Sequence, residues 1–299
     1  MEKLDYLRVL VLAENTVPFP TALLGQHGLS FLIEGRKEKE KGKERGNVEL
    51  RVVMDVGQNH EALATNMELL NVSSCDIDAI VLSHCHYDHT SGIAALLAAT
   101  KKRDVPLIAH PAIFRPHFIT KPVLRSLGIR PEDRAEALVA AGGVLLLTSD
   151  PVQLMPGLMT TGEVPRVTAD AKEGLSVITV TEGRAAADNL LDDIALIACV
   201  KGKGLVVIAG CSHSGIINIV KRALALFPGE KLYAVLGGFH LVEASQQGIA
   251  STVDELTGFA PALVAAGHCT GFKAQAALYN SLGDRFVPLH VSAEFIFSE

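Results

Sequence analysis

The residues best suited to chemistry in this chain stand together at His84-Cys85-His86-Tyr87-Asp88-His89, which holds three of its eleven histidines. An apolar run precedes this stretch and a helix-like segment follows it. His84 and His86 are two apart, so in an extended segment both imidazoles project to one side and can reach the same ion, with Cys85 and Tyr87 turned away. Asp88 and His89 then fall at the turn into the helix, where they can face a second ion. Imidazole and carboxylate donors suit Zn²⁺, with Mn²⁺ or Fe²⁺ also open.

Further donors must come from later in the chain, because no histidine occurs between His117 and His213. Gly210-Cys211-Ser212-His213-Ser214-Gly215 again follows an apolar run and precedes a helix. His213 is a candidate ligand. Cys211 is either a ligand, since a thiolate binds Zn²⁺, or a buried thiol at a strand end. Ser212 and Ser214, with the amides that open the helix, can hold phosphate oxygens. In Gly237-Gly238-Phe239-His240-Leu241 the glycines allow a close backbone approach. Gly238 and His240 are therefore candidate substrate contacts, with a core-edge role for His240 equally open. In Gly267-His268-Cys269-Thr270-Gly271, His268 ends a strand and Cys269 reads as structural. His110 and His117 read as exposed loop histidines, with a place on a substrate wall as the alternative. The pairs Asp188-Asn189 and Asp192-Asp193 read as turn formers, with general acid/base carboxylates as the alternative, and 201–204 reads as a hairpin turn.

Strands and helices must place these motifs. Strands are expected at 7–13, 30–34, 48–54, 77–83, 105–109, 175–181, 194–200, 205–209, 232–236 and 262–266. Helical spacing marks 61–70, 131–141, 216–226, 249–258 and 272–282. Thr90 or Ser91 can cap a helix at 92–100. Strands alternating with helices in two similar halves imply two sheets packed face to face with helices outside, as one domain spanning 1–299. A charged hairpin at 36–47 and a Pro-rich inserted wall at about 111–170 interrupt it.

Composition sets outer limits. Hydrophobic residues make up 48% of the 299 and charged residues 20%, which is globular. A net charge of −6 argues against nucleic acid as a partner but admits a small anionic substrate at a metal. Five cysteines do not form a disulfide framework. With no signal-like start and no membrane-length apolar run, a cytoplasmic enzyme away from the membrane is expected. The apolar 143–159 stretch is a candidate surface for a homo-oligomer.

The HxHxDH stretch after an apolar strand resembles the metallo-β-lactamase superfamily, and the order of elements is similar over nearly the whole chain. The resemblance implies an α/β fold, a four-layer αββα sandwich, with two divalent metal ions at one edge of the sheets. It implies ligand roles for His84, His86, Asp88, His89 and, in the last motif, His268. It also implies that Asp55, at the end of VVMDVG, supports the ligand loop. Cys211 stands where many members carry a bridging aspartate, and the usual separate third-motif histidine is missing. GCSHSG, GGFHL, GHCTG and TGEVPR (161–166) are similar to a subfamily typified by a dihydropterin-aminobenzene ribotide synthase of methanopterin biosynthesis. Two activities follow from the resemblance. One is a transferase that joins a dihydropterin methyl diphosphate to an aminobenzene ribotide with release of diphosphate. The other is a hydrolase of a phosphoester, lactone or amide through a metal-bound hydroxide, with Asp88 orienting the hydroxide and His240 protonating the leaving group.

Overall fold

The computed structural model describes residues 2–38, 48–168 and 176–299. Most of the charged hairpin expected at 36–47 therefore lies outside the described residues. Two seven-stranded sheets dominate. The first runs Glu294–Ser298, Tyr6–Ala13, Ser30–Lys37, Val48–Met54, Ala79–Val81, Val105–Ala109, Gly143–Leu147. The second runs Phe286–Pro288, Leu263–Gly267, Leu232–Gly238, Gly204–Ala209, Ala195–Val200, Leu158–Thr160, Gln153–Met155.

The alternation of side chains along each strand explains how the layers stack. Val9, Val11, Phe31, Ile33, Val52 and Met54 from the first sheet meet Leu196, Ala198, Val206, Ile208 and Leu236 from the second in one buried cluster. The opposite face of the first sheet packs Leu63, Met67, Ile93 and Leu97 from helices His60–Leu69 and Ile93–Thr100. The opposite face of the second sheet packs Ile216, Val220, Val253, Leu256 and Leu278 from helices Ile216–Leu226, Gln246–Gly258 and Phe272–Leu282. This is the αββα arrangement. Strands Ala195–Val200 and Gly204–Ala209 are buried at every position, because both faces of the sheet are covered.

The parallel strands matter most for chemistry. In the first sheet Val48–Met54, Ala79–Val81, Val105–Ala109 and Gly143–Leu147 are parallel neighbours. In the second, Gly204–Ala209, Leu232–Gly238, Leu263–Gly267 and Phe286–Pro288 are. Every candidate residue from Asp55 to His268 follows the carboxyl end of one of these strands, the usual position for a site in a parallel sheet.

Three expectations change. The 111–170 region is not all wall: Gly143–Leu147 joins the first sheet, and Gln153–Met155 with Leu158–Thr160 joins the second. Strands His117–Ile119 and Arg125–Ser126 form a small third sheet with Val177–Thr181 and Arg184–Ala187. The helix expected at 131–141 breaks at Arg134 into a 3₁₀ turn, Pro131–Asp133, and a helix, Ala135–Ala140. Its Asp133 carboxylate turns away to accept the Gly92 and Ala94 amides (2.8 and 2.9 Å). That remote carboxylate serves the start of Ile93–Thr100, so neither Thr90 nor Ser91 caps it.

Candidate metal centre

Each ligand loop begins where a strand must turn sharply. Asp55, Ser212, His240 and His268 all adopt positive φ, between 47° and 60°, although none is glycine. Such backbones cost about 1–3 kcal/mol each and persist where the surroundings impose them, often at functional sites. Here the turn aims each side chain back across the sheet ends.

Seven histidine rings meet there in contacts of 4.3–5.2 Å between centroids: His84, His86, His89, His213 and His268, with His117 and His240 at the edges. Two donor groups can be distinguished. In the inner group one nitrogen each from His84, His86 and His213 lies within 4.8 Å of the others. The outer group centres on Asp88 Oδ2, which lies 3.3 Å from His268 Nε2 and 3.7 Å from His89 Nε2. Cys211 Sγ lies between, grouped with His84 and His89 on one side and with His268 and Cys269 on the other.

The supporting bonds leave Nε2 of these rings toward the centre. Asp55, wholly buried, accepts the Ser83 amide (2.7 Å), the Ser83 hydroxyl (2.6 Å) and Nδ1–H of His89 (2.7 Å). Its oxygens are fully used, so it supports the loop and does not face an ion. Ser83 Oγ also meets His84 Nδ1 at 2.8 Å. Asn15 Oδ1 accepts Nδ1–H of His268 at 2.8 Å. Anchoring one ring nitrogen to an oxygen fixes the tautomer that a metal-binding histidine needs.

The charges differ between the groups. Burial holds His84, His86 and His213 well below the usual imidazole range, so they are neutral. Burial also lowers His268 to about 4. His89 goes the other way: burial would lower it, but Asp55 and Asp88 raise it to about 9. Burial would raise Asp88, yet His89 and His268 hold it below the ordinary carboxylate range. Burial pushes the Cys211 and Cys85 thiols up.

A cation fits this donor set. Nε2 of His84 and of His213 is buried without a hydrogen-bond partner among the described residues. An unpaired buried polar atom costs about 1–3 kcal/mol, and two of them aimed at a third imidazole are accounted for by an ion. Divalent cation binding is the shared chemistry of both groups.

Several sequence expectations need correction. His117 and His110 are buried, not exposed. His117 Nε2 lies 2.8 Å from His86 Nε2, and its Nδ1 donates to Asp188 Oδ2 at 2.6 Å. The third sheet carries His117 inward, which no local pattern announces. Asp192 and Asp193 are buried supports: Asp192 accepts the Cys85 amide at 2.7 Å, and Asp193 accepts the amide and hydroxyl of Ser214. Ser214 therefore already holds a carboxylate where a phosphate was expected. Ser212 Oγ donates to Gly238 O at 2.6 Å. Gly238 lies so close to Gly210 O and Cys269 Sγ that a Cβ would not fit, so close packing alone accounts for a glycine there. His240 keeps a place at the rim, half-buried, its ring 4.3 Å from that of His213.

His27 was missed altogether. Its Nε2 lies 3.2 Å from Asp88 Oδ2, and its ring is 4.8 Å from that of His268. The one local signal was its setting in Gly25-Gln26-His27-Gly28, just before a strand. No helix among the described residues is long and apolar enough to cross a membrane.

Comparison with known proteins agrees with this geometry. The Metallo-beta-lactamase superfamily pattern matches residues 52–152. A 7,8-dihydropterin-6-methyl-4-(β-D-ribofuranosyl)-aminobenzene-5′-phosphate synthase of Methanocaldococcus jannaschii is 36% identical over 96% of both chains. A second protein of that organism, the uncharacterized MJ0448, is 33% identical over 95% of this chain and 97% of its own. Among solved structures, a metal-dependent hydrolase of the β-lactamase superfamily superposes with a TM-score of 0.78 at 20% identity, over 98% of this chain and 100% of its own. The metallo-β-lactamase fold protein YhfI from Bacillus subtilis gives 0.55 at 12%, with the same coverage. At these identities the two structures speak for the fold alone.

Proposed function

Because this chain belongs to the metallo-β-lactamase superfamily, in the family that includes the M. jannaschii synthase, we propose that it is a metal-dependent transferase. It joins the methylene carbon of a dihydropterin methyl diphosphate to the amine of an aminobenzene ribotide and releases diphosphate. The observation that carries this reading is 36% identity to that synthase over 96% of both chains. The donor set supports it. Two divalent ions, Zn²⁺ foremost with Mn²⁺ or Fe²⁺ as alternatives, would be held by His84, His86 and His213 and by Asp88, His89 and His268. When bound they supply Lewis-acid neutralisation of the leaving diphosphate.

The chain's own residues do the positioning. Beside His117 a cavity of about 920 Å³ opens among Tyr87, Phe114, Phe118, Arg125 and Arg130. That volume is in the range of small-molecule sites. Its rings suit a planar substrate and its guanidinium groups an anionic one. Arg130 sits 5.6 Å over the Tyr87 ring, which narrows one wall. Asp188, accepting from His117 Nδ1 and from Arg115 Nε (2.6 Å each), orients His117 so that Nε2 points at the centre. With His86 held by an ion instead of by His117 Nε2, 2.8 Å away, that nitrogen would take the proton the amine loses as the new N–C bond forms. His240, at the opposite rim, can contact the diphosphate end.

The test is diphosphate release from 6-hydroxymethyl-dihydropterin diphosphate by the metal-loaded protein, with and without the ribotide acceptor. Release that requires the acceptor is expected. Release without acceptor would make the protein a hydrolase, and no release would detach the centre from pterin chemistry.

A further inference from the structure

We propose that His27 is a direct ligand of the outer metal ion, so that the segment before the second strand closes the centre. The inference rests on the metal dependence proposed above but not on the pterin substrate.

The argument begins with distances. His27 Nε2 and His268 Nε2 stand 3.2 and 3.3 Å from the same oxygen, Asp88 Oδ2. All three donors lie within 4.8 Å of one another. A charge-assisted hydrogen bond would draw such pairs to about 2.7–2.9 Å. Nitrogen and oxygen ligands at about 2.0–2.2 Å around a tetrahedral ion are separated by about 3.4 Å. The observed spacing matches edges of a coordination shell better than hydrogen bonds.

The backbone of this segment is held where a ligand would need it. Glu14 Oε1 accepts the His268 amide at 2.6 Å, and Asn15 Oδ1 accepts His268 Nδ1–H. The Gln26 amide donates to Glu14 O at 2.9 Å, while Gln26 Oε1 accepts the amides of Gln58 and Asn59 (3.0 and 2.8 Å). Gly28, at φ 118°, leaves no room for a Cβ against the Asp88 carbonyl. Only glycine lets the chain pass this close to the ligand loop. His27 is thus fixed between residues tied to His268 on one side and to the Asp88 backbone on the other. Its side chain is 49% exposed, so the outer ion is reached from solvent past this ring.

The experiment uses the whole protein, stripped of metal and titrated with Zn²⁺. Imidazole ¹⁵N resonances are followed through two equivalents, with the exposed His60 as the control. The His27 Nε2 resonance should move with the second equivalent and not with the first, while His60 stays still. A His27 signal that is unmoved at two equivalents overturns the proposal, and this reading needs no variant. Independently, metal analysis of His27→Ala should show one tightly held ion and a second weakened by at least about tenfold. Two ions at parental affinity in that variant would also overturn it.

Discussion

In the inner group three neutral imidazoles face one another, and two of their Nε2 atoms have nothing else to bond among the described residues. In the outer group charge is already paired: Asp88 is an anion beside His89 and His268, and His89 holds a proton shared toward Asp55. The inner group is costly when empty and is relieved by any ion. In the outer group an ion must displace the His89 proton to enter. Two ions held around this loop should therefore differ in affinity and in pH response, because burial dominates one donor group and charge pairing the other.

The sharpest way to break this comparison is His86→Ala, which removes an inner donor. Lewis-acid stabilisation is worth several kcal/mol, so diphosphate release should fall by about a thousandfold or more, with inner-ion content falling alongside it in elemental analysis. Full activity in that protein would end the inner-site reading.

Asp55→Asn tests the support behind both groups. It weakens the bond that anchors His89 Nδ1 and should lower metal affinity about 10–100-fold in chelator competition, with the fold intact by circular dichroism.

The pH dependence separates the two groups directly. His89 in the metal-free protein titrates at about 9, so below that pH the entering ion must expel its proton. Affinity for the outer ion should rise about tenfold per pH unit from pH 6 toward pH 9. Inner affinity should stay nearly flat, because burial keeps His84, His86 and His213 neutral throughout. Equal slopes for both ions by calorimetry would erase the distinction.

The last effect falls on stability and not on metal binding, and concerns Asp193, which burial raises to about 6. A carboxyl whose folded value exceeds its unfolded one contributes stability that is full below about pH 4 and lost as pH rises through about 6. The loss is up to about 3 kcal/mol. Asp193→Asn, which keeps an acceptor for Ser214, should remove this slope in thermal melts between pH 4 and 7.

Much of the fold was legible because strand and helix periods are local. The buried runs 195–200 and 204–209 and the amphipathic helix Ile216–Leu226 appear nearly where the residues place them. The 111–170 region was misjudged because its prolines mark turns between short strands, and short strands reveal their partners only when paired.

What the sequence determined by itself was the HxHxDH loop and the strand-end histidines, since each depends on spacing within a few residues, while the αββα class followed from the order of elements and the family resemblance. Tertiary structure alone decided that His27 reaches Asp88, that His117 reaches His86 and that Asp193 fills the place of an anion at Ser214. Those contacts join residues 21–61 positions apart. They exist because sheet packing brings separate strand ends to one edge, where the lost water of burial makes each polar atom find a partner.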